Sequence, residues 1–194
     1  MLFALLLIQS ALAEGPPGST VAGAGHDCVF YVGPKADIGY NHVTAECYWP
    51  EITVAKTDPI LSDFGGHDRI FRACTVSDVT GQEGDFTLVH QVHVANGIKP
   101  REVLLKFRKN AVSGGYKYSW TMHENQPPPA NRGHVTTAYD TGSFEVTHNP
   151  SGGIKVVYRL LYSPGGRVPK FLVNWFQTDG VRDIMEDLRV YLNR

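Results

Sequence analysis

The stretch "SPGGRVPKFLVNWF", Ser163 to Phe176, decides how this chain folds. It leaves an alternating run, turns through Gly165 and Gly166, and sets Pro169 where a helix can begin. Five of the next seven side chains are apolar, so the opening of that helix is apolar nearly all the way round. Downstream, Val181, Ile184, Met185, Leu188 and Leu192 stand at i, i+3, i+4, i+7 and i+11, with Arg182, Asp183, Glu186, Asp187 and Arg189 on the other side. That spacing predicts one long amphipathic helix at the carboxyl end.

Upstream the period changes to two. Phe86, Leu88, Val92 and Val94 share one parity of "DFTLVHQVHVA", with His90 among them; Val103, Leu105 and Phe107 share one parity of "REVLLKFRK". The same holds for Tyr116, Tyr118 and Trp120, for Phe144 and Val146, and for Ile154, Val156, Tyr158, Leu160 and Tyr162. One apolar and one wet face per strand predicts an antiparallel sheet. "DCVFYV" and "YNHVTAECYW", separated by the turn-like "GPKADIG", predict a first pair of strands. "PEITVAKTDPILSDFGG" reads as one or two short helices, started by Pro50 and by Asp58-Pro59 and stopped by Gly65-Gly66; Ile70 to Asp78 reads as a strand. The class is α+β.

A long sheet with one apolar face and a single long helix to cover it must curl around that helix. Side chains then line the space between them without filling it, which predicts an internal apolar cavity. In that geometry Phe171, Leu172, Val173, Trp175 and Phe176 touch core, ligand and flanking loop together. The alternative is that they complete a dry core. Gly180 permits close approach of a ligand or loop, or is a tolerated surface glycine.

The 194 residues are 42% hydrophobic and 19% charged with a net charge of -1, enough for one domain and without the basic footprint of a nucleic-acid binder. "MLFALLLIQSALA", residues 1–13, reads as a signal peptide, with small residues at the cleavage site. It predicts export to a periplasmic or extracellular space; an unprocessed amino terminus would leave the protein cytoplasmic. Residues 14–25, rich in Gly and Pro, read as a flexible lead-in, and residues 26–194 as the folded domain. Of the three cysteines, Cys28 and Cys47 flank the first hairpin and are the pair expected to form a disulfide; three buried thiols are the alternative.

Catalytic signals are sparse. His90 and His93 point to opposite faces of one strand and cannot share an ion, while His67-Asp68 and His123-Glu124 fall in expected loops without ligand spacing. No Gly-x-Ser-x-Gly elbow and no phosphate loop occurs. His90, on the apolar parity, is either a polar handle in the cavity or a satisfied core histidine. Arg159, on the polar parity, reads as solvated or ion-paired.

"YSPGGRVPKFLVNWFQTDGVRDIMEDLRVYL", Tyr162 to Leu192, strongly resembles the carboxy-terminal strand, turn and helix of START (steroidogenic acute regulatory protein related lipid-transfer) domains, with Ser163 where that family often has Asp. "KPREVLLKF" resembles the family's Pro-Arg-Asp strand with Glu102 for Asp, and "PPPANRGHVTTAYDTGSFEVTH" resembles its Pro-rich loop and the two strands that follow, with Thr136 for Arg and Phe144 for Trp. About Pro50 to Leu192 can be laid on the pattern; the family's initial helix has no clear counterpart. The resemblance implies the helix-grip fold of the wider SRPBCC superfamily, a curved antiparallel sheet around the last helix, holding one lipid or sterol-like molecule without a cofactor or metal. It also implies that "ANGIKP", Ala95 to Pro100, covers the entrance, with Ile98 the residue to meet ligand or membrane.

The expected ligand-binding set is Leu88, His90, Leu105, Tyr118, Trp120, Tyr158, Phe176, Val181, Ile184 and Leu188. The expected partners are a hydrophobic small molecule and, transiently, a membrane surface. Two other readings stay open: an aromatase/cyclase-like enzyme using His90, Tyr118 or Tyr158 as acid or base on a polyketide-type substrate, and a protein-interaction module with a filled core.

Overall fold

The computed structural model describes residues 15–128, 133–168 and 179–194. In chain order these form β1 (Thr20–Gly25), β2 (Cys28–Lys35), β3 (Asn41–Trp49), α1 (Val54–Ser62), a 3-10 helix (Phe64–Arg69), β4 (Cys74–Glu83), β5 (Phe86–His93), β6 (Arg101–Val112), β7 (Gly115–Met122), β8 (Val135–Thr136), β9 (Tyr139–His148), β10 (Ile154–Ser163) and α2 (Asp179–Leu192). The strands make one ten-stranded sheet in the order β1-β2-β3-β10-β9-β7-β6-β5-β4, antiparallel throughout except that β8 runs parallel to β6. The last long strand, β10, is therefore central, between β3 and β9.

Alternation builds the core directly. Phe30, Ala45, Trp49, Phe144, Val146, Ile154, Val156 and Tyr158 all point to one face, and they cluster with Val181, Met185, Leu188 and Leu192 of α2, each fully buried. The helical stripe expected from the sequence is the stripe that meets the sheet. Its polar side is also used: Asp187 of α2 accepts from the backbone N–H of Arg72 at 2.8 Å and from its Nε at 2.7 Å, and Glu186 accepts from the same guanidinium at 2.8 Å. Arg72 thus ties α2 to the corner between the 3-10 helix and β4.

Four local expectations change. Residues 20–25 are not a free lead-in but an edge strand, in register with β2 from Thr20↔Val32 to Gly25↔Cys28. Their side chains are nearly all exposed, so backbone pairing rather than burial holds them, and composition could not register it. Thr53, not Pro50, caps α1, its hydroxyl accepting from the Lys56 N–H at 3.2 Å. Pro59 then sits inside α1 rather than restarting it; Val54, Thr57 and Leu61 are buried, and that packing carries the helix across the missing backbone donor. Gly65-Gly66 lies within the 3-10 helix and stops nothing.

Cys28 and Cys47 face each other as register partners of β2 and β3 and form a disulfide, while Cys74 is free and buried. Closing a loop of 19 residues restricts the unfolded chain, an effect worth about 3 kcal/mol. Cys28→Ala/Cys47→Ala is expected to lose about that much in a urea unfolding titration, the mutant matching the wild type measured under reductant.

Candidate functional site

A cavity of about 140 Å³ lies between the inner face of the sheet and α2. One water needs about 10–15 Å³ on such a measure, so this is a ligand-sized space rather than a packing defect. Phe71, Phe107, Trp120, Phe144, Tyr158 and Leu160 supply most of its apolar wall, and Gly180, Asp183 and Ile184 of α2 close one side. Ala95 and Ile98 stand at its edge, in a loop whose other tip residues, Asn96, Gly97 and Lys99, are exposed.

Three positions of the expected ligand set line the cavity: Trp120, Tyr158 and Ile184; Ile98 lines it from the loop. Leu105, Tyr118, Val181 and Leu188 point inward but are packed in the core beside it. Tyr118 is drawn aside because its hydroxyl donates to Asp58 of α1 at 2.6 Å. On α2 the fully buried row Val181, Met185 and Leu188 meets the sheet, and the neighbouring i, i+4 row, Gly180 and Ile184, faces the space. Phe176, with Phe171, Leu172, Val173 and Trp175, lies outside the described residues.

Leu88 and His90 are turned the other way, a correction of parity. On β5 the inward residues are Val89, Gln91 and His93. The apolar residues of the opposite parity do not mark the cavity because the outer face at this end is itself covered: Glu102 and Leu104 of β6 and Val92 of β5 are buried there, beside β8. Phe86 is capped by Lys106, 4.8 Å above its ring. His90 lies 3.8 Å from Glu102 on that outer side, not in the cavity.

What the sequence reading missed is the polar part of the wall: His67, Gln91, His93, Arg101, Asp140 and Tyr162. Asp140 had a visible signal, since it shares the inward parity of β9 with Phe144 and Val146. Trp120 reaches it because Gly142 leaves room; a Cβ there would come within 2.4 Å of the indole. The indole Nε1 donates to Asp140 Oδ1 at 2.8 Å. That is the only hydrogen bond to this carboxyl among the described residues, and burial pushes its pKa up to about 7, the Trp120 bond opposing. Burial likewise raises Tyr158 and Tyr162, with the nearby Asp140 charge adding to it.

The histidines are held neutral. Burial lowers His67 and His93 to about 4, and the carbonyl of Leu61, 3.4 Å from His67 Nε2, only partly opposes this. Burial also pushes the Cys74 thiol up to about 12, so it is inert as a nucleophile. Arg101 is buried as a cation but well met: it donates to the carbonyls of Lys99, Pro164 and Gly165. It pins the 163–166 turn to the start of β6. Among the described residues no cluster of His, Cys, Asp and Glu could hold a metal, and no helix is long and apolar enough to cross a membrane.

The fold superposes on solved structures at low sequence identity. A STAR-related lipid transfer protein from Xanthomonas axonopodis superposes with a TM-score of 0.79 at 16% identity over 91% of this chain and 99% of that one. The human StAR-related lipid transfer protein 5 gives 0.81 at 13% identity over 91% of this chain and 87% of that one. The fold is START-like. A match of lower TM-score is the Zhui aromatase/cyclase from Streptomyces sp. R1128, at 0.53 and 12% identity over 78% of this chain and 91% of that one. No family model and no curated relative matches the sequence.

The Asp140 shift fixes a sign. A carboxyl at about 7 folded and 3.8 unfolded adds stability below pH 3.8 that is lost as pH rises through 7, a difference of about 4 kcal/mol in full. Asp140→Asn keeps an acceptor for Trp120 and removes the ionisation. Urea unfolding is expected to show the variant gaining on the wild type progressively from pH 4 to pH 8, by up to a few kcal/mol. The two histidines act oppositely in both proteins, their contribution present above pH 6.5 and lost as pH falls toward 4.

Proposed function

We propose that this protein encloses one hydrophobic molecule, lipid or sterol-like, between the sheet and the carboxy-terminal helix in a helix-grip arrangement, and carries it between membranes. The observation that supports this most is the aromatic-walled cavity of about 140 Å³ with α2 on one side and the Ile98 loop at its edge. Burying about 300 Å² of ligand surface at about 25 cal/mol per Å² is worth about 7 kcal/mol relative to water. Relative to a bilayer, which is also apolar, most of that gain disappears, so loading and release are nearly isoenergetic, as a carrier requires. The names of the Xanthomonas and human neighbours point the same way, because both are called lipid transfer proteins. Export fits the apolar amino terminus and the Cys28–Cys47 disulfide, a bond that persists in oxidising compartments.

An enzyme reading, of the aromatase/cyclase kind, draws on the neutral histidines, Asp140 and Tyr158 in the same wall. Turnover of a polyketide-type substrate would favour it over the carrier.

Native mass spectrometry of the purified protein should find one bound hydrophobic molecule. Ile184→Trp, at a partly buried helical position on the cavity, is expected to fill the space and abolish uptake while the protein stays folded by circular dichroism. Unchanged uptake would reject this location for the ligand. Ile98→Asp is expected to slow vesicle-to-vesicle transfer about tenfold, by more than it weakens equilibrium binding, because a charge on the loop must leave water to enter the interface.

A further inference from the structure

We propose that the cavity selects a ligand bearing a hydroxyl group over the ether of the same length, because its wall presents an open hydrogen-bond acceptor, His93 Nδ1. This rests on the carrier reading above and adds the chemistry of the ligand's polar end.

The direction of every proton in the neighbouring network follows from one backbone carbonyl. Ser77 Oγ lies 2.7 Å from Phe64 O, which can only accept, so the serine hydroxyl is spent as a donor. Toward Gln91 Nε2, at 2.9 Å, Ser77 can then only accept. The Gln91 amide therefore turns its NH₂ to Ser77, with its second N–H toward His67 Nδ1 at 3.5 Å. His67 agrees, since its Nε2 donates to Leu61 O at 3.4 Å and leaves Nδ1 as the acceptor. The Gln91 oxygen is left facing His93 Nε2 at 3.1 Å, so that nitrogen must carry the proton. Burial keeps the imidazole neutral, and a neutral ring protonated on Nε2 has a bare lone pair on Nδ1.

His93 Nδ1 has no hydrogen bond among the described residues and is not among the sealed, unpartnered polar atoms. The side chain lines the cavity, so this lone pair opens on it. Tyr158 has a hydroxyl that donates as readily as it accepts, and so does not discriminate. A ligand hydroxyl satisfies His93 Nδ1; an ether of the same length has no proton to give and leaves it unmet.

Decanol and methyl decyl ether titrated calorimetrically into the full chain test this. Decanol is expected to bind at least tenfold more tightly than the ether. His93→Phe should bring the alcohol and the ether to the same affinity. Should that variant fail to fold, the wild-type comparison decides by itself. Equal binding of the two, or tighter binding of the ether, would overturn the selection and leave the carrier standing. If neither binds to a protein that also carries no hydrophobic molecule in native mass spectrometry, both readings fall.

Discussion

The apolar inner face of the sheet is the constraint from which the rest follows. Nine strands in sequence at about 4.8 Å spacing span about 40 Å, whereas a helix with its side chains is about 10–12 Å across. One helix cannot cover such a face. In this chain α1, the 3-10 helix and the corner at Phe71–Cys74 cover part of it, and α2 covers another part with Val181, Met185, Leu188 and Leu192. The uncovered remainder is the cavity. Its walls are rings that touch at their edges and faces, Phe144 on Tyr158 at 4.6 Å and Phe107 backed by Phe64 at 4.7 Å, rigid enough to leave room between them.

Two devices keep the covers in place, and both use charge. Arg72 reaches across to Glu186 and Asp187 at the surface of α2, and the carboxylates raise its already high pKa further. Exposed pairs of this kind each contribute modestly, but here one guanidinium and one backbone N–H converge on the same helix, which fixes its azimuth. Arg101 does the corresponding work inside. Buried at the start of β6, it gathers carbonyls from its own loop and from the 163–166 turn. The two sequence motifs that most resemble START domains, the Pro-Arg strand and the Gly-Gly turn, are therefore in contact.

Polar groups in an apolar cavity carry specificity because each unmet one costs free energy that an apolar wall would not. The Ser77–Gln91–His67–His93 network is satisfied within itself and so spends little on the ligand except at its end. Asp140 is less satisfied, with one bond to Trp120, and its raised pKa records that. Gly142 makes that contact possible, so a position with no side chain sets the place of the carboxyl's only described partner.

Legible in the residues alone were the fold class, the strand pair bridged by Cys28 and Cys47, the inward parity of β6, β7, β9 and β10, and the helix that covers them, because periodicity and turn residues are local properties of the chain. The sequence also placed Trp120, Tyr158, Ile184 and Ile98 where the cavity now is. It could not choose the inward face of β5, since Phe86, Leu88 and Val92 look like core and only the covering of the outer face near β8 explains them otherwise. Nor could it gather His67, Gln91, His93, Arg101 and Asp140 into one wall. Those residues are dispersed over 74 positions and four segments, and what brings them together is the order of strands in the sheet, which tertiary structure alone decides.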